Sequence, residues 1–192
     1  MHSTDSSRFD QAARRTLLEL ARGSIGHGLT TGRPLDVAPS DYPDPLRQRL
    51  ATFVTLHRAG SLRGCIGHLE AIAPLVRDVA DNAFAAAFRD PRFPPLSEQE
   101  LSDVHIDVSI LSPPEPIAFS SEQDLIQQLR PGSDGLILRD HQARGTFLPS
   151  VWDQLPNPSD FLRHLKQKAG LPADYWSDSL TVARYHTESF GE

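Results

Sequence analysis

A strand, a second strand and a helix in immediate succession constrain this chain more than any other feature. Leu50–His57 and Leu62–Leu69 both read as strands, and the connection Arg58-Ala59-Gly60-Ser61 is short enough for a hairpin. Pro74 then fits the first turn of a helix running to about Arg89, with Leu75, Val76, Val79, Ala80, Ala83, Phe84, Ala87 and Phe88 as its apolar stripe. Asp90-Pro91 stops that helix. The hairpin is therefore expected to lay a face carrying Leu62 and Ile66 against the helix, giving one continuous core.

Elsewhere, helical and strand patterns alternate in the same manner. From Arg8 to about Ile25 apolar residues recur at helical spacing, and Gly23, Gly26 and Gly28 are expected to break the helix. Residues 30–48 carry Gly32, Pro34, Pro39, Pro43 and Pro45 and predict an irregular surface connection. Ser97 and Glu100 have capping-box spacing for one short turn, before Val104–Leu111 alternates as a strand. Pro113, Pro114 and Pro116 form a stiff bend ahead of a helix from Ser121 to Leu129. Leu136–Leu138 and Arg144–Leu148 read as a second hairpin, Ser159 as the N-cap of a helix ending at Gly170, and Leu180–His186 as the final strand. Together these predict an α+β fold with largely antiparallel sheets and flanking helices.

Charge and cysteine content narrow the setting. A formal net charge of −6 opposes attraction to phosphate backbones, so no nucleic-acid partner is expected. No apolar run approaches the ~20 residues that span a bilayer, and MHSTDSSRFD has no apolar leader segment, so neither a membrane partner nor export is expected. Cys65 is the only cysteine, which excludes an intrachain disulfide and fits a reducing cytoplasm.

That cysteine lies in LRGCIG, residues 62–67. In a regular strand Leu62 and Ile66 take one face, and Arg63 and Cys65 the other. A guanidinium beside the thiol favours the thiolate, while Gly64 and Gly67 let a ligand approach the backbone. The same residues also suit a small buried thiol, with glycines making room for packing or a bulge. Asp90-Pro91-Arg92-Phe93-Pro94-Pro95 has two readings as well. It is either a rigid turn with an Asp–Arg ion pair, or the rim of a cleft in which Asp90 and Arg92 meet a small acidic or zwitterionic ligand beside Cys65.

The runs FVTLHRAGSLRGCIG at 53–67, AFRDPRFPPLSEQEL at 87–101, VSILSPPEPI at 108–117, GSDGLIL at 132–138 and FLRHLKQKAGLPADYW at 161–176 resemble the successive blocks of the AMMECR domain family. They occur in the family's order and cover roughly residues 8–190. The resemblance implies an AMMECR-like α+β domain of two intimately packed lobes over 8–190, after a polar tail at 1–7. Bacterial and archaeal members are called AmmeMemoRadiSam system protein A, which implies a Memo-like protein and a radical SAM enzyme as partners. LRGCIG is implied as the functional centre, with the reaction and any cofactor unknown. With the residue reading, this makes Cys65 and Arg63 candidate catalytic residues. Gly64, Gly67, His68, Asp90, Arg92 and Ser109 become candidate contacts to a small molecule or peptide. Some relatives carry a second cysteine where Lys166 stands, so a mechanism needing two thiols does not transfer.

Other motifs are weaker. His105, Asp107 and Ser109 share one strand face, but in steps of ~7 Å with the carboxylate in the middle, whereas a Ser-His-Asp triad needs the histidine between. His68 and Glu70 form H-x-E without the P-C-x-x-C of zinc deaminases, and neither metal-ligand spacing nor a phosphate-binding glycine loop occurs. His68 and His105 remain as candidate bases. Two function classes stay open: a Cys65-dependent catalyst, or a non-catalytic adaptor presenting the same hairpin.

Overall fold

A computed structural model describes residues 7–192, so the first six residues of the expected tail lie outside the described residues. The helices are α1 (Gln11–Thr31), α2 (Asp44–Arg47), α3 (Leu75–Phe88), α4 (Glu98–Leu101), α5 (Glu122–Gln128) and α6 (Pro158–Lys168). The strands are β1 (Thr52–Arg58), β2 (Ser61–Gly67), β3 (Val104–Leu111), β4 (Glu115–Pro116), β5 (Gly135–Asp140), β6 (Ala143–Phe147), β7 (Thr181–Tyr185) and β8 (Thr187–Gly191). The fold is α+β, and the pairings β1–β2, β1–β3, β4–β7, β5–β6 and β5–β7 are all antiparallel. It divides into two compact units, one running to Leu111 and including Glu188–Glu192, the other spanning Ser112–Thr187.

The first unit pairs its strands in the order β2-β1-β3-β8. α1 starts at Asp10, whose carboxylate accepts the Ala13 amide at 2.8 Å, and continues through all three glycines expected to end it. Gly28 explains why. A Cβ there would sit 2.5 Å from the Phe88 ring and 2.7 Å from that of Phe84 on α3, so glycine is what lets the two helices approach. Its propensity cost of about 1 kcal/mol is offset by that packing. The helix ends at Gly32, in the left-handed region with φ 69°. The connection expected over 30–48 starts only at Gly32, since α1 includes residues 30 and 31, and is irregular except for a short 3-10 turn at Pro39–Asp41 and the single turn of α2.

The β1–β2 turn is tighter than the sequence suggested. Ala59 and Gly60 alone form it, both with positive φ (50° and 76°), as a two-residue hairpin matched to strand twist requires. The register then slips. Leu56 faces Gly64 but His57 faces Leu62, leaving Arg63 as the extra residue of a β-bulge. The bulge overturns the expected facing. Arg63 and Gly64 are both buried, while Leu62 is 40% exposed and falls on the face of Cys65. Ile66, opposite Val54, keeps the core contact predicted for it. Under β1 a buried polar network ties sheet to helix: the Thr52 hydroxyl donates to Asp78 at 2.6 Å, and the Asn82 amide donates to Asp78 at 3.1 Å. Burial raises the Asp78 carboxyl above its ordinary pKa, against the opposing bond from Thr52 and the contact with His68.

The second unit pairs its strands in the order β4-β7-β5-β6. α6 packs Phe161 flat on Trp152, ring centroids 3.7 Å apart, within a core that includes Leu125, Leu136 and Leu165. Its N-cap is Asn157 rather than Ser159: the Asn157 carboxamide accepts the Ser159 and Asp160 amides, and Pro158 occupies the first helical position. Lys166 is wholly buried and its ammonium pairs with Glu122. Asp140 accepts hydrogen bonds from the hydroxyls of Ser177, Ser179 and Tyr175, in that order the causes that hold its pKa down at about 2. The strand expected at Leu180–His186 is β7, which ends at Tyr185, and it is not the last: after His186 the chain forms β8, a short polar strand in the sheet of β1–β3. No helix among the described residues is long and apolar enough to cross a membrane.

Candidate functional site

β2 is an edge strand, and an edge leaves backbone groups without a ladder partner. At Cys65 the segment after α3 covers that edge. The Cys65 amide donates to Asp90 Oδ2 at 2.9 Å, and Arg92 Nη2 reaches the Cys65 carbonyl at 3.4 Å. Arg92 also donates to both Asp90 oxygens, at 3.0 and 2.7 Å. Those Arg92 bonds hold the Asp90 carboxyl well below the usual range, against burial and with help from the Cys65 amide, and they raise Arg92 in turn. Asp90 is buried while the Arg92 side chain is half-exposed. Cys65, Asp90 and Arg92, which one of the two sequence readings set side by side, are thus brought together, with the Asp–Arg ion pair of the other reading also present.

Arg63 is not part of that group. The bulge turns it away from the thiol, to donate to Glu100 at 2.8 and 3.1 Å and to the Pro94 carbonyl at 3.0 Å. Glu100 is the capping-box glutamate as well, accepting the Ser97 amide at 2.9 Å. Arg63 first, and that amide second, hold the Glu100 carboxyl down at about 2. The expectation that Arg63 flanks Cys65 is therefore corrected: its charge clamps α4 to the hairpin.

The glycines have a structural cause too. A Cβ on Gly64 would collide with the Ala86 carbonyl oxygen of α3, and one on Gly67 with the Thr52 carbonyl and the Phe53 ring. Gly64 faces inward, so the close approach it permits is by a helix rather than a ligand. Nor is the Cys65 amide free for an oxyanion, since Asp90 holds it.

The face opposite the helices bears the thiol. Cys65 is half-buried and accepts the Thr55 hydroxyl at 3.3 Å. Register sets Cys65, Thr55 and Asp107 side by side across β2, β1 and β3, with Leu62, His57 and His105 in the next row. His57 Nδ1 lies 2.9 Å from Asp107 Oδ2, and His105 Nε2 lies 3.7 Å from Oδ1. The carboxylate thus gains a histidine partner from the neighbouring strand. His57 was missed in the sequence because only register joins it to Asp107. Ser109 shares the face one row away, its hydroxyl bonded to Ser189 at 2.8 Å and not to the Cys65 group. His68 lies on the helix side, Nε2 2.6 Å from the buried Asp78 carboxylate, a close contact without the alignment of a linear hydrogen bond.

A two-unit α+β protein whose hairpin carries LRGCIG on an edge strand, capped by an Asp-Pro-Arg turn, is of the AMMECR kind. The chain belongs to the AMMECR1 family, whose model matches residues 18–190. It is 42% identical to a protein of Methanothermobacter thermautotrophicus over 93% of each chain. A Thermococcus onnurineus protein is 40% identical over 92% of this chain and 88% of its own. The crystal structure of an uncharacterized protein from Pyrococcus horikoshii matches with a TM-score of 0.83 and 34% identity, covering 97% of this chain and 94% of that one.

Proposed function

We propose that this protein is a Cys65-dependent catalytic component that acts on a small molecule or peptide in the reducing cytoplasm, beside a Memo-like protein and a radical SAM enzyme. Neither nucleic acid nor membrane is a partner in this reading, which rests on the acidic charge and on the lack of a long apolar run. The observation that carries it is a partly buried Cys65 with a clamped backbone: Asp90 holds its amide and Thr55 donates to its sulfur, yet the residue is not part of the apolar core. Cys65 is the nucleophile, and Asp90 and Arg92 border the ligand. Arg63, Gly64, Gly67, His68 and Ser109 act by shaping the hairpin and its sheet.

Metabolite profiling of cells lacking the protein tests this without presuming a reaction. A substrate should accumulate, and the wild-type chain but not Cys65→Ala should clear it. Full complementation by a well-folded Cys65→Ala protein would remove Cys65 as a catalyst. One observation favours the adaptor reading instead: Leu62, an exposed apolar side chain on the face of Cys65. If that holds, Leu62→Lys abolishes capture of the Memo-like protein while Cys65→Ala leaves it intact.

A further inference from the structure

We infer that His57, oriented by Asp107, is the acid–base partner of Cys65, and that the pair accepts an acyl group from a thioester or reactive ester. This rests on the reading of Cys65 as a nucleophile and adds residues on β1 and β3 that the LRGCIG segment does not contain. His57 stands two residues along β1 from Thr55, the cross-strand neighbour of Cys65, and is therefore diagonal to the thiol on one face. Diagonal neighbours lie about 7–8 Å apart at Cα, within reach of an imidazole. Asp107 engages Nδ1 at 2.9 Å, which fixes the ring and leaves Nε2 for a second partner. Thr55 donates to Sγ at 3.3 Å, a bond that favours the sulfur when it carries negative charge. The other titratable groups facing this pair are His105 on β3 and the Asp90–Arg92 turn at the β2 edge.

In the acyl step the Sγ proton passes to His57 Nε2 while Sγ attacks the carbonyl carbon. The bond from that carbon to the leaving thiol or alcohol breaks, the leaving group takes the proton from His57, and Cys65 holds the acyl group as a thioester. An amine or water then attacks this thioester, its proton passes through His57 to Sγ, and the free thiol returns. Activated acyl groups are favoured over amides because Asp90 occupies the Cys65 amide, the donor that would otherwise stabilise an oxyanion.

The test uses the full chain, with iodoacetamide and p-nitrophenyl acetate as probes and peptide mass as the readout. Wild-type Cys65 should be alkylated and acetylated at about pH 6.5 much faster than in denatured protein, and His57→Gln should slow both at least tenfold. Near pH 10, where an ordinary thiol is ionised, that gap should close, which a merely distorted site would not allow. Asp107→Asn should fall between the two, and it supplies the decisive reading if His57→Gln does not fold. Equal rates in wild type and variants would overturn the His57 assignment while leaving Cys65 reactive. Wild-type rates no faster than the denatured control would overturn both, and alkylation without acetylation would overturn the acyl step.

Discussion

The two sides of β2 do different work. On the helix side, Arg63 and Gly64 are held by structural contacts: an ion pair shared with a capping box, and a backbone approach to α3. On the other side, Cys65 touches a hydroxyl, faces a histidine–carboxylate pair diagonally, and contributes nothing to the apolar core. A single-residue bulge separates them. The lesson is that six adjacent residues can form a motif for two unrelated reasons, and that the glycines of such a motif are not evidence for a ligand.

The largest effect should come from Gly64→Ala, because its Cβ meets backbone that cannot rotate away. A loss of about 3 kcal/mol or more is expected in denaturant unfolding, and an unshifted midpoint would show that α3 is not packed on this strand. Glu100→Gln should come next, at about 2 kcal/mol, by weakening a largely buried ion pair with Arg63. The Glu100 pKa lies at about 2 when folded, below its ordinary value of 4.5, so its stabilisation is present above pH 4.5 and lost as pH falls toward 2. Thermal melts across that window should therefore show a flatter acid limb for Glu100→Gln than for wild type. Thr55→Val should be the mildest, costing less than about 1 kcal/mol, because it removes one partly exposed hydrogen bond to sulfur. Its effect should instead appear as slower alkylation of Cys65. A melting loss equal to that of Glu100→Gln would break the distinction between the two sides.

Much of this arrangement was legible in the sequence because it depends on local chemistry. The hairpin, α3 and its stop at Asp90-Pro91, and the Ser97–Glu100 box follow from turn residues, apolar spacing and capping. What sequence periodicity missed was non-local. Gly28 looked like a helix breaker because its partners, Phe84 and Phe88, lie more than fifty residues away. The bulge at Arg63 reversed the faces of Leu62 and Arg63, since a strand's alternation is read on the assumption that no residue is extra. The His57–Asp107 contact depends on strand register, and β8 is too short and polar to stand out without the neighbour it pairs with.

The separation of packing from chemistry within LRGCIG is most directly tested by the stability of Cys65→Ala. Because the thiol lies outside the core, its removal should cost less than about 1 kcal/mol in denaturant unfolding, with the slope of the transition unchanged. A loss of about 2 kcal/mol or more, comparable to emptying a buried apolar site, would contradict the account and make Cys65 a structural residue like its neighbours.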